Sequence, residues 1–229
     1  MRVTILYDNT VHDDRLTPDW GFSCLVETPA MNVLFDTGAN GKILLNNMRK
    51  LAIDPCVVDA VFISHAHFDH SGGLSDFLDI RSVPVFLPAS CRVLSPGGDF
   101  RKVADSLKIA EGIYSTGELG GIEQSLIVKL KRFNLLIAGC SHPGVGRMLV
   151  AASRMGKVGA LVGGLHGFKD YHLLKNVTWV CPAHCTQHIK EIAERFPDAY
   201  VAAGAGRVIE VDSLLTQPHR CLNNITNNR

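Results

Sequence analysis

The sequence predicts a layered α/β domain, and three observations carry that expectation. Short β-rich runs alternate with segments of helical periodicity through both halves of the chain. No linker-like break in composition separates the halves. Hydrophobic residues make up 46% of the 229 residues and charged residues 20%, which is enough apolar material for a sizeable core and too little charge for a solvated chain. One domain over 1–222 is expected, with 223–229 as a disordered, asparagine-rich tail.

The first third reads as antiparallel strands at Val3 to Tyr7, Phe22 to Glu27 and Val33 to Phe35, separated by Pro18, Pro29 and Gly38. From Lys42 to Leu51, apolar Ile43, Leu44, Met48 and Leu51 fall at near-helical spacing, and a buried strand from Val57 to Ile63 follows. In the middle, Val83 to Leu87, Leu126 to Leu130 and Leu135 to Ala138 read as strands, with a loop-like region around Ser95 to Asp99. Val145, Met148, Leu149 and Ala152 mark one face of a helix that starts after Pro143. Ile189, Ile192, Ala193 and Phe196 repeat that spacing, with Thr186 as the expected N-cap. Strands are also expected at Val158 to Val162, Thr178 to Cys181 and Val208 to Val211.

Lys and Arg total 23 against 22 for Asp and Glu, a balance of +1, which leaves no spare positive field for a polyanion. Neither a nucleic acid nor a membrane surface is therefore expected as a partner. No run approaches the ~18 apolar residues of a membrane span. The apolar stretch at the N-terminus is too short for a signal peptide. Seven scattered cysteines, an odd number, fit a reducing cytoplasm better than a disulfide framework.

The stretch Ser64-His65-Ala66-His67-Phe68-Asp69-His70-Ser71-Gly72-Gly73-Leu74 places three imidazoles and a carboxylate within six residues at the end of a buried strand. In an extended segment His65 and His67 project to the same side. A turn beginning near Phe68 brings Asp69 and His70 to a second centre. Two nitrogen-rich half-sites suit zinc, iron or manganese better than calcium or magnesium, which take oxygen ligands. His142, His166 and His184 each follow an expected strand, where loops of layered α/β folds converge on a shared site. His12, His172, His188 and His219 have no such context.

These residues resemble the metallo-β-lactamase fold superfamily: the His65-x-His67-x-Asp69-His70 run is similar to its signature, and Phe35-Asp36-Thr37-Gly38 to its first motif. Gly21-Phe22-Ser23, Gly139-Cys140-Ser141-His142-Pro143-Gly144 and Gly163-Gly164-Leu165-His166 point to the branch of dihydropterin-ribofuranosylaminobenzene phosphate synthase-like proteins. The resemblance covers nearly the whole chain. It implies a four-layer αβ/βα sandwich, two mixed sheets flanked by helices. It also implies two divalent metal ions, zinc first with iron or manganese as alternatives. His65 and His67 would hold one ion; Asp69, His70 and His184 would hold the other, and Asp36 would orient the histidine loop. His142 falls roughly where many members carry a bridging aspartate and is expected to coordinate. The third motif of the superfamily has no evident histidine before Glu123-Gln124-Ser125-Leu126, where only Glu118 stands, so Glu118 and His166 are candidate further contacts to metal or substrate. The branch reads Cys-Thr-Gly after its last histidine, whereas Gln187 follows Cys185-Thr186 here.

A metal at such a site lowers the pKa of bound water to ~7, giving hydroxide at neutral pH, or acts as a Lewis acid. Asp69 is the candidate to orient or deprotonate that water. The helix after Pro143 aims amide N–H groups at the same region and favours an anionic small-molecule substrate. The leading expectation is hydrolysis of a small phosphate- or diphosphate-bearing molecule. Two alternatives stand beside it. One, from the branch name, is a transferase that condenses a pterin methyl diphosphate with an arylamine ribofuranosyl phosphate. The other is a non-catalytic iron sensor or redox protein. A homodimer is compatible with such folds.

Overall fold

The computed structural model describes residues 1–92 and 98–211. The tail 223–229, Cys221, His219 and the Ser95–Pro96–Gly97 part of the expected loop lie outside the described residues. Gly98 and Asp99, at the end of that loop, form a bend and an irregular step into the next strand.

Two mixed sheets form the centre. The first contains β1 (Arg2–Tyr7), β2 (Ser23–Glu27), β3 (Asn32–Phe35), β4 (Ala60–Phe62), β5 (Val85–Pro88) and β6 (Phe100–Val103). With β13 (Val208–Glu210) added at the edge, its order is β13-β1-β2-β3-β4-β5-β6. The second contains β7 (Leu107–Ala110), β8 (Ile113–Ser115), β9 (Leu126–Lys129), β10 (Asn134–Ala138), β11 (Val158–Gly164) and β12 (Trp179–Ala183), in the order β12-β11-β10-β9-β8-β7. β1, β2 and β3 pair antiparallel as their alternation predicts, and β3, β4 and β5 run parallel. In the second sheet β10, β11 and β12 are parallel while β7 to β10 form an antiparallel meander.

Side-chain alternation along these strands builds three apolar layers. Val3, Ile5, Phe35 and Phe62 of one sheet meet Leu126, Leu135, Ile137 and Val162 of the other in a core between the sheets. Leu34, Val61 and Val85, on the opposite face of the first sheet, pack under α1 (Gly41–Lys50) and α3 (Leu74–Ile80), which contribute Leu44, Met48 and Phe77. Leu136, Ala138 and Leu161 pack under α4 (Val145–Ser153) and α5 (Ile189–Arg195), which contribute Met148, Ala152 and Ile192. The result is the helix-sheet-sheet-helix stack that the resemblance implies.

Local chemistry sets several boundaries. The Asn40 side chain accepts from the amides of Lys42 and Ile43 and so starts α1. The expected strand Val57 to Ile63 is shorter in the structure. Pro55–Val57 forms a 3₁₀ turn capped by Asp54, and pairing begins only at Ala60. Thr186 does not cap α5. Its hydroxyl donates to the Ala183 carbonyl and accepts from the Leu165 amide, and the helix begins at Ile189 after His188. β6, β7 and β8 have no counterpart in the expected elements. β6 and β7 are edge strands with exposed Arg101, Lys102 and Lys108, so the period-two apolar pattern is broken. Among the described residues no helix is long and apolar enough to cross a membrane, and the six described cysteines are free thiols.

A buried side chain ties the sheets together at one end. Gln124 Nε2 donates to the Ile63 and Phe86 carbonyls, its Oε1 accepts from Ser115 Oγ, and its amide donates to the Ser64 carbonyl. Gln124→Ala would strand the buried Ile63 carbonyl and leave the Ser115 hydroxyl without its acceptor, while the Phe86 carbonyl keeps the Ile63 amide. The expected loss is about 2–3 kcal/mol of unfolding free energy, read from equilibrium urea denaturation. A loss within experimental error of zero would show that Gln124 does not hold the sheets in register.

Candidate metal centre

β1, β3 and β4 are mutually parallel across the first sheet, as are β10, β11 and β12 in the second, so their following loops emerge at one edge of the sandwich. Asp8 and Asn9 follow β1, Asp36 follows β3, and Ser64 and His65 follow β4. His142, His166 and His184 follow β10, β11 and β12. The loops meet closely: a Cβ on Gly139 would lie 2.1 Å from Ser64 Oγ, so only glycine allows the two sheets' loops to touch there.

Five non-glycine residues among those described have left-handed φ, and four of them, Asp36, Ser141, His166 and His184, lie in these loops. Such strain persists only where surrounding structure over-determines it, and it concentrates at functional sites. After His65 and His67 the short helix α2 (Phe68–Ser71) turns the chain, as the expected turn near Phe68 requires, and buries Asp69 and His70.

Four of the imidazoles, those of His65, His70, His142 and His184, are fixed through Nδ1. Asp36 Oδ2 accepts from Ser64 Oγ (2.7 Å), leaving a Ser64 lone pair for His65 Nδ1 (2.8 Å). Asp36 Oδ2 also faces His70 Nδ1 at 2.7 Å. Glu123 Oε2 accepts from His142 Nδ1 at 2.9 Å. Asn9 donates its amide to the His184 carbonyl, so its Oδ1 accepts from His184 Nδ1 at 3.0 Å. An Nδ1–H committed to an acceptor leaves Nε2 as the free lone pair, the arrangement by which second partners orient metal-binding histidines.

Those lone pairs converge. His65 Nε2 lies 3.1 Å from His67 Nδ1, and the His142 ring packs against both at 4.6 and 4.8 Å between centroids. His142 Nε2 lies 3.0 Å from His166 Nε2. His184 Nε2 is buried without a hydrogen-bond partner, yet stands 3.2 Å from Asp69 Oδ2, which already accepts from Trp20 Nε1 at 3.0 Å. His70 Nε2 lies 3.8 Å from the same Asp69 oxygen. A bare ring nitrogen and a carboxylate oxygen repel each other at such a distance unless a cation lies between them. The residues therefore fit a divalent metal. His65, His67 and His142 gather on one side; Asp69, His70 and His184 gather on the other.

His142 occupies the place against His65 and His67 for which the sequence offers no third-motif histidine. Glu118 is engaged elsewhere, its Oε2 accepting from the Ser90 amide at 2.7 Å. His166 joins the cluster through His142. Three contributors were not evident in the sequence: Asn9, Trp20 and above all Glu123. Glu123 is fully buried and accepts five hydrogen bonds, from the amides of Gly139, Cys140, Ser141 and His142 and from the His142 ring. A buried carboxylate was the one available signal for it, and the sequence does not reveal burial.

Burial pushes His65, His67 and His166 below the ordinary histidine pKa and His184 down to about 3, and neighbouring imidazoles reinforce the shift. For His70 burial acts the same way, but the Asp36 carboxylate outweighs it and the net direction is up. Burial also opposes the Glu123 charge, yet the His142 ring and the loop amides hold its carboxyl below the usual range. The centre is open on one side only: His67 is exposed, His142 and His166 are half-buried, and Trp20 and Phe68 are exposed at the rim.

Residues 16–130 match the family described as the metallo-beta-lactamase superfamily. A curated relative, the 7,8-dihydropterin-6-methyl-4-(beta-D-ribofuranosyl)-aminobenzene-5'-phosphate synthase of Methanocaldococcus jannaschii, is 24% identical, and the match covers 85% of this chain and 92% of the relative. The solved structure of Tm1679, titled a metal-dependent hydrolase of the beta-lactamase superfamily, is 26% identical with a TM-score of 0.73, covering 92% of this chain and 99% of that one. Human tRNase Z, short form, shares the fold at 17% identity and a TM-score of 0.63, with 92% of this chain and 99% of that chain covered.

Two predictions follow from the charge balance of the centre. In chelator-treated protein, His65 and His184 are neutral when folded but take up protons when unfolded below about pH 6.5. Their stabilising effect is complete above that pH and is lost as pH falls towards the native value of about 3 for His184. Urea midpoints should drop across this window, and drop less in His184→Asn, which tolerates the left-handed backbone. A flat wild-type profile between pH 6.5 and 4 would count against neutral buried imidazoles. Separately, Glu123→Gln turns an amide towards the loop N–H groups and should cost about 3 kcal/mol at neutral pH by the same assay. An unchanged midpoint would remove Glu123 as the organiser of the His142 loop.

Proposed function

This chain belongs to the metallo-beta-lactamase superfamily, and from that premise we propose that it is a metal-dependent hydrolase of a small molecule bearing a phosphate or diphosphate. The observation that carries the reading is the bare His184 Nε2 held 3.2 Å from the Asp69 carboxylate, beside His65, His70 and His142, whose Nδ1 atoms are likewise committed to partners outside the centre. His65, His67 and His142 would hold one divalent ion and Asp69, His70 and His184 a second, with His166 beside His142. Zinc, iron and manganese all suit this donor set. When bound, such ions supply an activated water and stabilise charge on a phosphoryl oxygen.

The chain's own residues do the rest. Asp69 is fixed by the Trp20 indole and presents its carboxylate to the centre, where it orients water and accepts its proton. Glu123 and Asn9 accept from Nδ1 of the His142 and His184 rings, which fixes each ring's orientation and turns its Nε2 to the centre. α4 begins just beyond His142 with no side chain capping its first turn, and its free amides favour an anionic group on the substrate. The half-exposed side formed by His67, His142 and His166 admits that group.

A second reading is favoured by the named relative. On this reading an arylamine would attack a pterin methyl carbon as a diphosphate leaves, and the residues of the centre would hold the departing diphosphate through the bound ions. This transferase reading shares the site residues and differs in the nucleophile.

Removing metal with a chelator should abolish hydrolysis of bis(p-nitrophenyl) phosphate or of an alkyl diphosphate, and zinc, iron(II) or manganese should restore it. Asp69→Asn should lower kcat by roughly 10²–10⁴-fold. Undiminished turnover by chelator-treated protein would sink both readings. Diphosphate release that requires an added arylamine would select the transferase.

A further inference from the structure

We propose that Cys140 supplies a thiolate ligand shared by the two halves of the metal centre. The inference rests on the metal reading above and adds a donor that the expected ligand set of His65, His67, Asp69, His70, His142 and His184 does not include.

Three donor groups among the described residues bring their ligand atoms within 4.8 Å of one another: Cys140 with His65 and His142, Cys140 with His70 and His184, and Cys140 with His166 and Cys185. Cys140 Sγ is the one atom common to all three, so it stands between the half-sites. It lies 3.1 Å from His70 Nε2. A tetrahedral metal bound at about 2.0 Å to nitrogen and about 2.3 Å to sulfur separates those donors by about 3.5 Å. The pair is therefore close to the spacing of a shared coordination shell.

Independent support comes from His184. Its side chain is fully buried, its Nε2 has no hydrogen-bond partner, and it belongs to the same group as Cys140 and His70. A soft donor and a bare nitrogen facing one point describe a metal position better than a packed thiol does. The backbone also delivers Cys140 deliberately. Its amide donates to Glu123 at 3.0 Å, between the Gly139 and Ser141 amides that bind the same oxygen. Cys140 itself is 2% exposed.

Coordination replaces the S–H bond with a metal–sulfur bond and releases one proton to solvent; nothing is oxidised or reduced. A thiolate in the shell favours zinc or iron over manganese and magnesium. Cys185 is the alternative sulfur. It is buried nearby, with its Sγ 3.9 Å from the Cys140 carbonyl, but it appears in only one of the three groups.

Cobalt(II)-loaded protein tests the assignment. The wild type and Cys185→Ser should show a thiolate-to-cobalt charge-transfer band in the near ultraviolet, and Cys140→Ser should bind cobalt yet lose that band completely. Loss of the band in Cys185→Ser with retention in Cys140→Ser would overturn the proposal, as would a wild type that binds cobalt without the band. Failure of the wild type to bind cobalt at all would overturn the metal centre itself, which separates the two claims. Should Cys140→Ser not fold, X-ray absorption of zinc-loaded Cys185→Ser decides. A sulfur neighbour at about 2.3 Å supports the thiolate, and a shell of nitrogen and oxygen alone refutes it.

Discussion

The edge of this sandwich is governed by one constraint: electron-rich atoms are forced together, and none of them is free to turn away. Asp36 through Ser64, Glu123 and Asn9 each take up the outer nitrogen of a histidine, so the inner nitrogens of His65, His142 and His184 are turned inward, against His67 Nδ1, His166 Nε2 and Asp69 Oδ2. Crowding lone pairs beside the Asp69 carboxylate is unfavourable in bare protein. The two-sheet core makes it possible, because the strands that bear these loops are locked in register by apolar packing far larger than the local cost.

That cost is visible in the backbone. Asp36, Ser141, His166 and His184 all sit at left-handed φ, where a non-glycine residue is strained by about 1–3 kcal/mol. Each of these residues turns the chain sharply at the end of a strand so that its own or its neighbour's side chain faces the centre. Glu123 offsets part of the strain at Ser141. Four successive amides and the ring of the last residue converge on one carboxylate, giving an anion nest built from the loop itself.

Much of this was legible in the sequence where the chemistry is local. The run from His65 to His70 carries its donors within six residues, and both the same-side projection of His65 and His67 and the turn at Phe68 are properties of short-range geometry. The alternation of β1 to β3 and the passage through α1 were readable for the same reason. What the sequence hides is pairing across the sandwich. Glu123 precedes β9 with no motif around it and becomes important only because β10 brings Gly139 to His142 onto it. His142 could be recognised as a candidate ligand, but its place against His65 and His67 depends on the approach of two sheets, not on spacing along the chain. Thr186 has the right residue type for a cap, yet the Leu165 amide and the Ala183 carbonyl claim its hydroxyl. β6 and β7 escape notice because edge strands carry charge where core strands carry valine or leucine.

The two halves of the centre differ in exposure, and that difference divides their work in the proposed reaction. His70 and His184 are fully buried in their side chains, and Asp69 is nearly so. His67 is exposed, and His142 and His166 are half-buried. An incoming anion therefore meets the His67 and His142 side first, where solvent is displaced at low cost. Charge that must be held throughout the cycle belongs on the buried side, where a low dielectric strengthens every ion contact. Trp20 marks the border between the two: its ring is exposed at the rim while its indole N–H fixes the Asp69 oxygen that faces His184. In the proposed reaction a substrate packed on that ring would press on the same side chain that sets the carboxylate, which would link binding at the mouth to proton transfer in the interior through a single residue.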